Sequence, residues 1–336
     1  MKRFWAVFVA RNKEFYRDRG AFGWSLFFPI IVVFGFAFAF SGGNQNLYKV
    51  GVFEETKSHP PAEFTQTQFI DFVSYPDLKA ALERLRHQQL DMVVSMGTKN
   101  QYWINDSSPK GYLLERVLKG SSPTVTSPFE KQSVTGREIR YVDWLISGML
   151  GLNMMFSALF GVGYTIVRYR QNKVLRRLKA TPISAFEFLS AQIASRLLLI
   201  LCVSTTIYFG CNFFLHFQML GSYFDLFIVL LLGAACLISL GLLVAARVSS
   251  EEFAGGLVNF ISWPMMFLSG TWFSLEGANP WLRKFALIFP LTHVIDSSRA
   301  IMNEGAQLSQ IGNHLLPLIG MTLVFLSLSA YFFRWE

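Results

Sequence analysis

Residues 168–189 read RYRQNKVLRRLKATPISAFEFL. Arg168, Arg170, Lys173, Arg176, Arg177 and Lys179 follow one another with no acid before Glu187. A long apolar run stands on each side. Cations between two membrane-length runs are held on the cytoplasmic side, because Lys and Arg near span ends resist translocation. Taken alone, the six residues are either topogenic charge or the place where a cytosolic element grips the spans. The rest of the chain decides between these readings.

The 336 residues are 52% hydrophobic and 15% charged, with 34 Phe. A soluble domain carries about 25% charge, so most of this chain does not face water. The net charge of +8 is spread over two cytosolic clusters and a mixed middle region. It forms no continuous basic stripe, so nucleic acid is not an expected partner. Anionic membrane lipid and a protein partner account for the basicity better. Cys202, Cys211 and Cys236 lie in apolar runs and act as small hydrophobes. No His or acid is spaced to complete a metal site with them.

Working outward, residues 1–21 predict a cytosolic amphipathic interfacial helix. Phe4, Trp5, Phe8, Val9, Phe15 and Tyr16 fall near one side, with Lys13, Glu14 and Arg17 on the other. Arg17, Asp18 and Arg19 close it, and Gly20 is the expected break. Residues 22–40 carry no charge and suit a first span. Ala37-Phe38-Ala39 would also suit signal cleavage, but the apolar run exceeds the usual ~7–15 residues of a signal core.

Residues 41–141 change character. Short apolar runs at 48–53, 69–75, 90–96 and 101–104 predict strands, while 77–86 and 111–118 have helical periodicity, the first with an acid at its N-cap. This is an extracytoplasmic α/β domain, with 120–133, rich in Ser, Thr and Pro, as a mobile linker. The remainder predicts spans at 142–167, 197–217, 224–246, 253–273 and 313–333. Gly148, Gly151, Gly161 and Gly163 give the second span small faces for close helix contact. Residues 168–196 form a cytosolic coupling segment. Segments 1–20 and 168–182 each hold six Lys or Arg, whereas 216–223 holds none. The expected fold is therefore an all-α membrane bundle of six transmembrane helices, both termini cytosolic, with the α/β domain inserted.

Residues 274–312 do not fit a simple loop. Trp281–Ile288 and Leu291–Met302 are apolar on one side, too short to cross, and split by Pro290. They predict an external re-entrant or interfacial hairpin, with non-helical backbone shielded by protein or lining a cavity. Glu276, Asp296 and Arg299 lie in or beside it, where ionisable groups often mark a pathway.

The chain has no phosphate-binding Gly-x-x-x-x-Gly-Lys-Ser/Thr loop, no Gly-x-Ser-x-Gly and no His-Glu-x-x-His. Ser269 or Ser297 with His293 is the one imaginable hydrolytic set, and an interfacial His is far more often merely hydrogen-bonded. No enzyme activity is expected of this chain.

Three stretches carry a family resemblance. They are Lys13-Glu-Phe-Tyr-Arg-Asp-Arg19 with Pro29; Leu175-Arg-Arg-Leu-Lys-Ala-Thr-Pro-Ile-Ser184 with Phe186-Glu-Phe-Leu189; and Pro264-Met-Met-Phe-Leu-Ser-Gly270 with Pro280-Trp281 and Phe289-Pro-Leu-Thr-His-Val-Ile-Asp296. In this order and spacing, over nearly the whole chain, it resembles the membrane subunits of ABC-2 type transporters. Where family members often carry acids before the Leu-Arg-Arg-Leu-like core, this chain has Arg170-Gln-Asn-Lys173.

The resemblance implies a permease of an ABC exporter in a bacterial inner membrane, with ATP and magnesium held by a separate ATPase subunit and no cofactor in this chain. It implies a homodimer, or a heterodimer with a similar permease, and a periplasmic adaptor is a further candidate partner. Leu175, Arg176, Arg177, Leu178, Thr181, Pro182, Phe186 and Glu187 are then the ATPase-coupling residues. Glu276, Pro280, Trp281, Pro290, Thr292 and Asp296 belong to the external hairpin or exit.

An exposed ion pair contributes about 0–1 kcal/mol, and reversing a two-state transporter takes roughly 5.5 kcal/mol of differential binding. Docking must therefore combine several charges with apolar burial, expected around Leu175 and Leu178. The cargo is expected to be amphipathic or lipophilic, with lipid or polysaccharide export competing with drug efflux. The alternative outside transport is a membrane-anchored sensor whose external domain takes a ligand.

Overall fold

The computed structural model describes residues 2–39, 48–54, 64, 67–87, 89–96, 101–105, 108–120, 130–134, 140–248, 250–272, 275 and 279–333. By its internal contacts the chain divides into Phe38–Tyr141 and a second unit made of Met1–Ala37 with Val142–Glu336.

The first unit is a five-stranded mixed sheet: β1 (Tyr48–Glu54), β2 (Ile70–Tyr75), β3 (Met92–Met96), β4 (Gln101–Asn105) and β5 (Glu130–Val134), in the order β2-β1-β3-β4-β5. Only β3 and β4 run antiparallel. Alternation along β3 sends Met92 and Val94 to one face and Val93 to the other. The first face packs Val50, Tyr102, Ile104, Leu114 and Leu118. The second packs Ala81, Leu85, Leu90 and Trp103. Helix α3 (Leu78–Arg86) starts at Asp77, whose carboxylate accepts from the Lys79 amide at 3.0 Å. Helix α4 (Pro109–Gly120) supplies Leu114 and Leu118. Strand β5 overlaps the end of the expected linker 120–133 and pairs with β4 through register positions 101↔130 to 105↔134. The polar composition of 130–134 conceals an edge strand, which needs pairing more than a hydrophobic signature.

In the helical unit, α1 (Lys2–Arg17) and α2 (Arg19–Ala39) meet at a bend of 61°. The break falls at Asp18, not at Gly20: Asp18 still donates its amide to the Glu14 carbonyl, and its own carbonyl opens the next helix by accepting from Phe22. A long helix follows, α5 (Tyr141–Ala158), a π-helical segment (Leu159–Tyr164) and α6 (Thr165–Gln171). Then come α7 (Val174–Lys179), α8 (Ala185–Leu215), α9 (Tyr223–Ala245), α10 (Glu251–Leu268), α11 (Pro280–Ala286), α12 (Pro290–Glu304) and α13 (Gly312–Phe332).

Among the described residues, Tyr141–Gln171, Phe186–Leu215, Tyr223–Ala245 and Gly312–Phe332 are long and apolar enough to cross a membrane, and the bent α1–α2 pair would be a fifth. The expected span 253–273 is shorter than its apolar sequence suggested. Helix α10 stops at Leu268 because Ser269 caps it and Gly270 turns to φ 71°. Its 18 residues reach about 27 Å at 1.5 Å each, just under the ~30 Å hydrocarbon thickness.

Helix α9 is the centre, packed by α8, α12, α13 and the π segment. Gly163 and Gly241 allow a close backbone approach: a Cβ on Gly163 would stand 3.1 Å from the Gly241 carbonyl oxygen, and one on Gly241 3.0 Å from that of Ala158. This is the backbone contact that small residues permit between spans.

Candidate functional site: the basic strap and the re-entrant helix

The strap from Arg168 to Leu189 is built from local capping. The α6 helix ends at Gln171, and Lys173 takes the left-handed conformation, φ 57°, which turns the chain into α7. Three features close α7 after Lys179. Thr181 donates both its amide (2.9 Å) and its hydroxyl (2.6 Å) to the Leu178 carbonyl, and Pro182 has no amide to continue the helix. Ser184 then opens α8 with a capping box: its hydroxyl accepts from the Glu187 amide at 3.1 Å, and the Glu187 carboxylate accepts from the Ser184 amide at 3.0 Å. The Ser-x-x-Glu spacing was visible in the sequence, and it makes Glu187 a structural acid of the strap.

Within this frame Lys173, Arg176, Arg177 and Lys179 are exposed, as are Thr181 and Pro182, while Leu178 is half-buried. Leu175 is fully buried, so it anchors α7 to the fold and leaves no side-chain surface to bury against a partner. The exposed apolar group is Phe186, at 81%. The expected apolar contribution of Leu175 therefore passes to Phe186.

Three arginines hold the strap to the bundle. Arg170 donates to the carbonyls of Ala245 (2.9 Å), Ala246 (3.1 Å) and Val248. A cation over those orphan carbonyls caps α9 and matches its dipole. Arg3 donates to the Pro182 carbonyl, tying α1 to the turn. Arg11 donates to Glu14 (2.7 Å), Tyr169 (3.1 Å), the Gly161 carbonyl (2.9 Å) and Thr165 (2.8 Å). Arg196 of α8 donates through Nε to the Ser157 carbonyl at 2.7 Å. The i→i+5 pattern of the π segment loosens the regular ladder, and the carbonyls of Ser157 and Gly161 meet these guanidiniums there. Gly161 leaves room for the second of these: a Cβ there would stand 1.7 Å from Arg196 Nη2, so Arg196 would have to move.

The inward stripe of α1 is Phe4, Val7, Phe8, Arg11, Asn12 and Phe15, and the helix packs along α8. Trp5, Val9 and Tyr16 stay exposed on another side. The sequence reading put the aromatics on a single lipid-facing side and missed the polar pair inside the packed stripe. Arg17, Asp18 and Arg19 are exposed at the bend.

At the hairpin, Asn279 caps α11 by accepting from the Trp281 amide at 3.0 Å, and Pro280 occupies the first turn, where its missing amide costs nothing. Trp281 stacks on Phe285 at 5.5 Å and is 69% exposed. Pro290 starts α12, and the Thr292 hydroxyl donates to the Ala286 carbonyl at 2.7 Å. Asp296 is half-buried on α12. Glu276 lies outside the described residues.

Helix α12 is not a surface element. A Cβ on Gly233, in the middle of α9, would stand 2.4 Å from Val294, and one on Gly151 would stand 2.9 Å from Ile295. The N-terminal half of α12 therefore lies against the mid-length of α5 and α9. Arg299 donates to the Gly270 carbonyl at 2.8 Å and its Cζ lies 3.7 Å from the Trp144 ring centroid. His293 contacts the Leu287 carbonyl through Nε2 at 2.9 Å and His314 Nδ1 through Nδ1 at 3.1 Å. Ser269 bonds instead to Thr271 at 2.9 Å.

A family model described as "ABC-2 family transporter protein" matches residues 19–331. The chain is 20% identical over 209 residues to the "Probable multidrug ABC transporter permease YbhR" of Escherichia coli K12, covering 62% of this chain and 56% of that one. It is 27% identical over 188 residues to the "Inner membrane transport permease YhhJ" of the same strain, covering 54% and 49%. The chain thus spans about half the length of the curated relatives it matches.

Proposed function

The chain belongs to the ABC-2 family of transporter proteins, and from that membership we propose that it is the permease subunit of an ABC exporter, driven by a separate ATPase that docks on residues 168–189. The observation that carries the proposal is the strap itself. Arg176, Arg177 and Lys179 on the short α7, and Phe186 on the capped first turn of α8, are all exposed. Several cations around one exposed aromatic combine charge with apolar burial, which a single surface ion pair cannot supply.

The partner ATPase holds the ATP and magnesium. A movement of the strap reaches the spans through Arg170 on the end of α9 and through Arg11 on the π segment. Two copies, or this chain and a similar permease, form the pathway, and the six-span count is completed by the bent α1–α2 pair and by α10 with the re-entrant hairpin. The protein lies in a bacterial inner membrane with both termini cytosolic and the sheet unit outside, where it can meet an adaptor. An amphipathic or lipophilic cargo moves outward. The printed name of YbhR supports the multidrug form of this reading, and the aromatic cavity described next supports lipid as cargo.

The test is co-purification of a tagged chain with its ATPase. Arg176→Glu/Arg177→Glu should abolish capture while the variant keeps the wild-type thermal transition in detergent. Undiminished capture by that variant removes the docking claim.

A further inference from the structure

Between α1, α2, the α5–π helix and α8 lies a cavity of about 580 Å³, a volume typical of small-molecule pockets, ~300–1,000 Å³. One wall is aromatic. Trp24 and Phe28 of α2 line it with Phe156 of α5, and they are 70%, 41% and 36% exposed. Besides Glu14, Asp18 and Arg168, the polar wall holds Asn153 and two arginines of α1 and α8, Arg11 and Arg196.

The two arginines differ in how their charge is met. Arg11 is paired with Glu14. Arg196 donates only to the Ser157 carbonyl and lies 5.5 Å over the Phe15 ring; no carboxylate pairs with it among the described residues. Asn153 is 8% exposed, donates to the Ser25 carbonyl at 2.8 Å, and leaves Oδ1 without a partner among the described residues. A cation without a carboxylate partner and an acceptor with unmet bonding thus line one cavity, opposite its aromatic wall. A guanidinium in such surroundings is stabilised by an anionic oxygen more than by a neutral carbonyl.

We propose that this cavity binds an anionic amphiphile from the lipid leaflet beside the strap, its acidic group on Arg196 and its chain along Trp24, Phe28 and Phe156. Asn153 Oδ1 accepts from a hydroxyl or amine of the same head group. The aromatic wall selects an amphiphile over a free anion of the same head-group chemistry. The inference concerns binding by this chain and does not rest on ATPase docking.

The experiment uses the purified full chain in a nonionic detergent, with retained ligand counted by native mass spectrometry. The probes are lysophosphatidylglycerol, lysophosphatidylcholine and inorganic phosphate. The wild type should retain the anionic lipid about tenfold better than the zwitterionic one, the effect of one charge-assisted bond, and phosphate should not displace it. Arg196→Gln should bring that ratio near unity, Arg196→Lys should largely keep it, and Phe156→Ala should weaken both lipids alike. Equal retention of the two lipids by the wild type, or displacement by phosphate, overturns the proposal. So does an unchanged ratio in a folded Arg196→Gln, or unchanged lipid retention in Phe156→Ala, which touches neither arginine and stays informative if the Arg196 variants do not fold.

Discussion

The basic strap and the α11–α12 hairpin are made from the same parts and put them to opposite use. Each breaks its chain at a proline beside short helices, and each carries arginine and aromatic side chains. In the strap, Arg176, Arg177 and Phe186 face outward, and the turns are closed by bonds among neighbouring residues. In the hairpin, α12 is buried against α9, and Arg299 is spent inside the protein, on the Gly270 carbonyl and the Trp144 ring. An exposed cation keeps its interaction free energy for a partner, whereas an internally bonded one fixes the position of its own helix. The continuous helix Tyr141–Gln171 joins the two, since Gly151 receives Ile295 of α12 and Arg170 caps α9. We infer that force is received at the strap and felt at the hairpin through that helix.

The sharpest way to break this contrast is to reverse charge at the strap. Arg176→Glu/Arg177→Glu should cost about 3 kcal/mol or more of ATPase binding, as reversed charges across an interface do, read as loss of ATPase capture and of stimulated turnover. Its effect on thermal stability should stay within about 0.5 kcal/mol, because both side chains are exposed. A comparable loss of stability would mean that the strap is structural like the hairpin.

The converse change is Arg299→Ala. Losing a charged hydrogen bond and a cation–π contact should cost about 2 kcal/mol of stability, measured by thermal unfolding in detergent, with ATPase capture retained. If capture falls while stability holds, the division of roles is wrong.

How much of this was legible in the sequence differs between the regions. Arg176, Arg177 and the Thr181-Pro182 stop could be read directly, because exposure of a cation run and the effect of proline are local properties. Strands β1 to β4 and the Pro290 split could be read for the same reason. Leu175 could not be assigned, since its periodicity shows a buried side without saying whether the chain or a partner covers it. The inward roles of Arg11, Arg170 and Arg196 were missed because most of their acceptors, backbone carbonyls and hydroxyls, lie far away in sequence, and no motif records a π segment. Arg196 did carry a signal, a lone cation inside an apolar run. Strand β5 was hidden by its polar composition, and the end of α10 at Leu268 by the left-handed turn at Gly270.

A smaller effect sharpens the strap side. Ser184→Ala removes the acceptor for the Glu187 amide and should cost about 1 kcal/mol, the usual worth of such a cap. The loss should appear as faster amide exchange over the first turn of α8, with ATPase binding weakened several-fold, because Phe186 sits on that turn. Ser184→Thr, which keeps the hydroxyl, should restore both. Restored stability without restored binding would separate the cap from the docking surface.

The smallest effect belongs to the hairpin. His293 contacts the Leu287 carbonyl at 2.9 Å and His314 at 3.1 Å. His293→Ala should cost about 1 kcal/mol, the net worth of a hydrogen bond, read as a lower unfolding temperature in detergent and faster amide exchange at α11 and the start of α12, with the strap unchanged. If the faster exchange appears first in the strap, the fixed element is the strap and the contrast between the two regions is inverted.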